Sequence, residues 1–262
     1  MQALAQVEGW PCEHAAVCVA GRIAATYGDV EHWFDWASVT KLVTAVAVLV
    51  ATEEGIVGLD EPAGPPGSTV RHLLAHASGL PFEDGAPIAR PGERRIYSNA
   101  GFDVVGQHVG ERAEMPFADY FEAVWGFALA GSPAKGVQAP LEQLLALAHE
   151  LLRPSRLARE TLYEAAQVQF PGLDGVLPGY VRMAPNDWGL GFELRDGKQP
   201  HWTGALNSPR TFGHFGGSGT FLWVDPDAGL ALGVLTDLEF GDWAKDAWPR
   251  LSDAVLTEAG AA

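Results

Sequence analysis

Between Asp35 and Glu53 the chain carries a single charge, Lys41, inside the run SVTKLVTAVAVLVATE that begins at Ser38. That run is long enough for about four helical turns. It opens with a serine where a helix N-cap belongs, and its apolar residues go almost all the way round, the pattern of a helix with no face left for solvent. Such a helix needs a sizeable core around it, so residues 38–54 dictate a globular body wrapped about them. The apolar stretch from Val39 to Ala51 is shorter than the roughly 18 residues that a membrane span needs.

Burying Lys41 as an ammonium is unfavourable, and desolvation drives it toward the neutral amine. Ser38, three residues earlier, shares its helix face, with the two Cβ atoms about 5–6 Å apart. A serine hydroxyl is a weak nucleophile until a base within hydrogen-bond reach takes its proton. Ser38 and Lys41 are therefore the expected nucleophile and general base. The competing reading is a lysine that snorkels from the helix start to solvent. The same spacing recurs at Ser132-Pro133-Ala134-Lys135, but Gly131 and Gly136 bracket that segment and it opens no apolar helix. It reads as a surface turn.

The rest of the chain places the buried helix in a mixed fold. Residues 15–28 read as a hairpin around Gly21-Arg22. A helical pattern in VRHLLAHASGL is ended by Gly79 and Pro81, and others follow at 99–112, 116–126 and 139–152. Alternation returns near Trp188 in WGLGFEL. A meander follows, GTFLWV, the turn Asp225–Gly229 and LALGVLTD, before a last helix from about Trp243 to Glu258. Strands at both ends with helices between predict an α/β fold, a mostly antiparallel sheet with flanking helices plus a helical lobe. The expected division is residues 1–55 with 186–262 for the α/β lobe and 56–185 for the helical lobe, with the site in the cleft between them.

The 33 acidic against 17 basic side chains give a net charge of -16. A polyanion is repelled by such a surface, which argues against nucleic acid and anionic membranes as partners. Solubility is the simplest reason for the excess. Cys12 and Cys18 lie in a segment that reads as extended, where their separation of about 20 Å forbids a bridge within one strand; both are expected to be reduced packing residues. MQALAQVEGWPCEH lacks a basic start and a continuous apolar stretch, so no signal peptide is expected and the cytoplasm is the expected location.

Two further segments carry chemistry-bearing residues. In RIYSNAGFDVVG, Tyr97 and Asn99 alternate in a turn before a helix; a phenol beside an ammonium is biased toward phenolate, and the Asn99 amide can hold Lys41 or a substrate carbonyl. Taken alone, a core tyrosine and an asparagine N-cap explain YSN as well. In GHFGGSGTFLWV, glycines next to His214 and Phe215 let a backbone come close to a ligand and offer an N–H to an oxyanion. His214 could orient the substrate or Tyr97.

SVTK, HLLAHASGLP, YSN and HFGG, in that order, resemble class C β-lactamases, their penicillin-binding relatives and the family VIII carboxylesterases. The resemblance spans about Ala15 to Asp237 and implies a β-lactamase/transpeptidase-like fold. It makes Ser38 the acylated nucleophile, Lys41 its base, Tyr97 the second acid–base group and Asn99 the partner of Lys41. It also makes His214-Phe215-Gly216 the counterpart of the family's KTG strand, which binds substrate, and forms the oxyanion hole from the N–H groups of Ser38 and Gly217. No metal or organic cofactor is implied. The substrate would be a small-molecule ester, amide or β-lactam.

His214 stands where the family has lysine, which weakens recognition of a substrate carboxylate at neutral pH. HASGL likewise replaces the commoner HTSGL. The expected activity is that of an esterase, a D-amino-acid peptidase or a weak β-lactamase; the alternative is a non-catalytic binding or regulatory module of penicillin-binding type. His72 and His76 have the spacing of a zinc pair, but Leu73 occupies the place of the catalytic Glu. No serine has the GxSxG surroundings of an α/β-hydrolase nucleophile, since Ser218 follows Gly216 but precedes Thr220. Among the aromatics, Trp36 and Phe215 are near enough to these positions to line an acyl pocket, though filling core volume is the commoner use.

Overall fold

The computed structural model describes residues 1–261. Strands β1 (Ala15–Gly21), β2 (Ala25–Gly28) and β3 (Phe34–Asp35) lead into helix α1 (Thr40–Glu53), followed by α2 (Val70–Leu74), α3 (Asn99–Ala113) and α4 (Phe117–Trp125). Next come β4 (Gln138–Ala139), α5 (Leu141–Leu152), α6 (Arg159–Ala165) and the short strands β5 (Gly175–Val176), β6 (Arg182–Met183) and β7 (Glu193–Leu194). The chain then runs through β8 (Phe212–Gly216), β9 (Thr220–Asp225), β10 (Leu230–Thr236) and α7 (Asp242–Glu258). Two compact units result, one from residues 1–39, 138–154 and 194 onward, the other from 40–137 and 155–193.

The first unit is built on a six-stranded sheet in the order β2-β1-β10-β9-β8-β7. From β2 to β8 every pairing is antiparallel. The two ends of the chain meet at its centre, where Val17 faces Val234. β9 and β10 are buried along their whole length, so both faces of the sheet are covered. Phe221 and Trp223 point to α7: the Phe221 ring lies 4.9 Å from that of Trp248, and the Trp223 indole donates to Ser252 at 3.0 Å. Gly233 faces the other way, where a Cβ would come within 2.7 Å of Leu144 and 2.9 Å of Cys18 Sγ. This glycine lets α5 lie close on the sheet.

In the second unit α1 is enclosed. Every side chain from Thr40 to Leu49 is fully buried, Lys41 included. The Trp125 indole of α4 donates to the Val43 carbonyl at 2.9 Å. Gly191 passes so close that a Cβ there would lie 2.3 Å from the Ala45 Cβ. The division thus differs from the expected one: α1 and residues 186–193 fall with the helices, while β4 and α5 fall with the sheet, where Gly233 makes room for α5.

Three local differences have backbone causes. α2 stops at Leu74, short of the expected helix through the ASGL segment, because His76 adopts a left-handed φ of 54° and Gly79 follows at 85°. The alternating segment after Trp188 yields only β7 and a bridge from Trp188 to Glu193, since Gly191 turns to φ 84°. Ser38 stands in a 3-10 turn, Ala37–Val39, which feeds α1. Both cysteines carry free thiols. Burial in β1 pushes the Cys18 thiol up to about 12, whereas Cys12 is only half-buried. No helix among the described residues is long and apolar enough to cross a membrane.

Candidate active site

Ser38 is half-buried in a turn that the sheet holds at several points. Ala37, just before it, takes a left-handed φ of 42°, a strained conformation for a residue with a Cβ. Asp35 Oδ1 fixes it by accepting from the Ala37 N–H at 2.8 Å. The Trp36 carbonyl accepts from the Val39 N–H at 3.0 Å and from the Thr220 hydroxyl at 2.9 Å, while the Ser218 hydroxyl donates to the Asp35 carbonyl at 2.6 Å. Gly216 is where the sheet meets this turn. A Cβ there would lie 2.5 Å from the Trp36 oxygen, 2.4 Å from Thr220 Oγ1 and 3.2 Å from the Ala37 Cβ.

Gly217 follows in the loop between β8 and β9, exposed, with open space where a side chain would begin. A cavity of about 690 Å³ opens here, lined by Trp33, Asp35, Ala37, Gly217, Asp237 and Glu239 among others. Within β8, Phe215 pairs with Phe221 and so shares its face; its ring joins a cluster with Trp202, Phe240 and Trp248. That side chain fills core rather than lining an acyl pocket. Trp36 is likewise fully buried, its indole donating to the Ala139 carbonyl at 3.1 Å. His214 is buried at 2% exposure and donates from Nδ1 to the Phe215 carbonyl at 2.6 Å.

Lys41 is the second residue of α1, one turn after Ser38. Its Nζ donates to Asn99 Oδ1 at 2.7 Å and to the Ala134 carbonyl at 3.0 Å. Burial lowers its pKa from 10.5 to about 7; the nearby Lys135 pushes the same way, while Asp103 and Glu83 oppose it. The snorkelling alternative is thereby excluded. The Tyr97 ring centroid lies 4.8 Å from the same Nζ. Asn99, the first residue of α3 behind the Ser98 N-cap, also donates from Nδ2 to Glu83 at 3.0 Å. Lys41, Tyr97 and Asn99 thus converge in one unit; in the other, Gly216 packs against the turn that carries Ser38, and His214 stands two residues before Gly216 in β8.

The conformation of the YSN segment depends on residues that sequence reasoning missed. Arg95 is buried, and its guanidinium donates to the carbonyls of Ala75 at 2.5 Å, Gln169 at 2.8 Å and Asn186 at 3.1 Å. Burial lowers its pKa to about 10. His76 accepts the Ser98 N–H on Nδ1 at 3.1 Å, and its ring lies 4.7 Å from Tyr97 and 4.6 Å from Trp188. His72 faces elsewhere, at 2.9 Å from the Thr69 hydroxyl and stacked on Phe170. No group of three or more His, Cys, Asp or Glu among the described residues is placed to hold a metal. Nothing in the letters distinguishes Arg95 from Arg94, which is exposed.

A family model described as Beta-lactamase matches residues 14–126 and 121–256. Among solved structures, one described as a beta-lactamase from Mycobacterium bovis is 52% identical and superposes with a TM-score of 0.96, over 98% of this chain and 99% of that one. Simvastatin synthase from Aspergillus terreus, 18% identical, shares the fold with a TM-score of 0.79 over 98% of this chain and 97% of that one. EstCE1, described as a hydrolase with promiscuous acyltransferase activity, shares it at 18% identity and a TM-score of 0.76, over 97% and 98%. Among curated proteins, penicillin-binding protein 4* of Bacillus subtilis strain 168 is 28% identical over 122 residues, 34% of this chain. The match spans only 27% of that protein's length.

Proposed function

The chain belongs to the beta-lactamase family, and on that premise we propose that it is a serine hydrolase acting through an acyl-enzyme on Ser38, with small uncharged esters as preferred donors. One observation carries this reading. A lysine one turn after Ser38 is fully buried, held by two carbonyl acceptors and brought to a pKa of about 7. A neutral amine at neutral pH is what a serine nucleophile requires.

In the proposed reaction Lys41 Nζ takes the Ser38 proton as Oγ attacks the substrate carbonyl carbon. The N–H groups of Ser38 and Gly217 stabilise the resulting oxyanion. Collapse breaks the bond to the leaving oxygen, which receives a proton through Tyr97, and the lysine proton replenishes the phenol. Water then attacks the Ser38 ester by the same groups in reverse order and releases the acid. Asn99 holds Lys41, while His214 and the backbone of Phe215 and Gly216 line the acyl donor.

Two features support an uncharged ester over an anionic donor. The cavity beside Gly217 is lined by the carboxylates of Asp35, Asp237 and Glu239, which disfavour a carboxylate-bearing β-lactam. His214 sits in the strand position where a lysine would attract one. Intact-mass measurement after exposure to short p-nitrophenyl esters and a β-lactam panel tests the reading. An acyl adduct on the parent that is absent from Ser38→Ala is expected, forming faster with the esters. If no compound leaves an adduct, the chain is a binding module rather than a hydrolase.

A further inference from the structure

The second Ser-x-x-Lys segment is part of the surroundings of the first. The Ser132 hydroxyl is bonded to Asp103 and accepts from the Ala134 N–H at 3.0 Å, which presents the Ala134 carbonyl to Lys41. The Thr44 hydroxyl of α1 donates to the Pro133 carbonyl at 2.7 Å. From Lys135 a hydrogen-bonded chain runs inward. Its Nζ donates to Glu83 Oε1 at 3.0 Å, the same oxygen accepts from Asn99 Nδ2 at 3.0 Å, and Asn99 Oδ1 accepts from Lys41 Nζ at 2.7 Å.

The amide of an asparagine can present either its oxygen or its nitrogen to a neighbour. A carboxylate on Nδ2 decides the matter, because only then does the oxygen face Lys41. The neutral amine has two hydrogens, and Asn99 Oδ1 and the Ala134 carbonyl accept both. Its lone pair then points away from both acceptors. A flipped amide would set an N–H against Nζ and draw that lone pair to itself.

We propose that Glu83 and Lys135 are a positioning pair for the general base: Glu83 turns the Asn99 amide so that its oxygen holds Lys41, and Lys135 holds Glu83. This rests on the reading of Lys41 as the base of Ser38. Among the charged and titratable groups facing Lys41 are Asp103 on α3, Glu83 after α2, Lys135 before β4 and Tyr97 at 4.8 Å. The two members of the pair act on the ammonium with opposite sign, Glu83 favouring it and Lys135 opposing it.

The chain has four lysines, Lys41, Lys135, Lys198 and Lys245, so lysine labelled with carbon-13 at Cε gives a spectrum that single Lys→Met variants assign. Its pH titration reads the Lys41 proton directly, apart from any reaction. Glu83→Gln is expected to move that titration down and Lys135→Met to move it up, each by about 0.3–1 unit, with Lys135→Arg restoring the parental value. The acid limb of Ser38 acylation should move with it. Mere loosening of the segment admits water and moves both variants up toward the ordinary lysine range. Both moving up, or neither moving, overturns the pair while leaving the base reading to stand on its own limb. Opposite shifts that acylation does not follow refute Lys41 as the base, and with it the purpose of the pair.

Discussion

Gly216→Ala tests whether the turn carrying Ser38 is held as tightly as its contacts imply. The new Cβ would begin 2.5 Å from the Trp36 oxygen and 2.4 Å from Thr220 Oγ1. Ordinary carbon–oxygen contact needs a separation about 0.8 Å greater. The Trp36 oxygen cannot swing aside, since it accepts from both Val39 N–H and the Thr220 hydroxyl. The displacement therefore falls on the turn itself, two residues from the nucleophile. A misplacement of about 1 Å at a reacting group lowers rates by roughly 10²-fold, and overpacking of this kind destabilises by about 1–3 kcal/mol.

Gly217→Ala is the internal control. Nothing lies within 4 Å of its Cβ position, and alanine keeps the N–H that the oxyanion would use. Single-turnover acylation followed by intact mass, with a thermal melt of each variant, gives the comparison. Gly216→Ala should acylate about 10²-fold more slowly and melt a few degrees lower, whereas Gly217→Ala should stay within about threefold of the parent. Parental acylation in Gly216→Ala, or an equal loss in Gly217→Ala, refutes the close approach of strand and turn as the reason for the first glycine.

Acylation is expected to hold a plateau above about pH 7 and to fall about tenfold per unit below it, because only the deprotonated amine accepts the Ser38 proton and Lys41 titrates at about 7. Lys41→Ala should lose roughly 10²–10⁴-fold across the range; an unchanged limb in that variant would assign the proton to another group. Arg95→Met leaves the carbonyls of Ala75, Gln169, Phe170 and Asn186 without this donor and should destabilise by about 3 kcal/mol or more, read as a lower urea midpoint with an unchanged slope. Asp237→Asn combined with Glu239→Gln removes two carboxylates from the cavity beside Gly217. It should speed acylation by an anionic β-lactam severalfold with no matching change for a neutral ester; equal changes for both would remove the electrostatic basis of ester preference.

The elements that sequence alone revealed are those in which one local rule decides the outcome. α1 was legible because apolar residues almost all the way round a long run leave the helix no solvent face, and the central strands because both faces of β9 and β10 are buried. Tyr97, Asn99 and the strand of His214 to Gly216 were legible as motifs in order. What escaped was set by tertiary contact: the assignment of α5 to the sheet rests on the single missing Cβ of Gly233, and the end of α2 on a left-handed histidine. Ala134 contributes a backbone carbonyl, which no side-chain pattern records. The segment Ser132–Lys135 reads from sequence as a surface turn, and that reading does not record that the Ala134 carbonyl reaches the buried amine.

The burial of Lys41 also ties the folding equilibrium to protons. The folded chain holds this amine at a pKa of about 7, while the unfolded chain would hold it near 10.5. Between those values unfolding takes up a proton, so the contribution of this side chain to stability rises with pH and is lost as pH falls toward 7. The full swing is at most about 5 kcal/mol. The fold should therefore resist denaturation better on the alkaline side, where the amine is also competent as a base. The stability contribution is already lost by about pH 7 and competence as a base falls below that value, so Lys41→Met is expected to lack the proton-linked slope above pH 7 while losing the reaction.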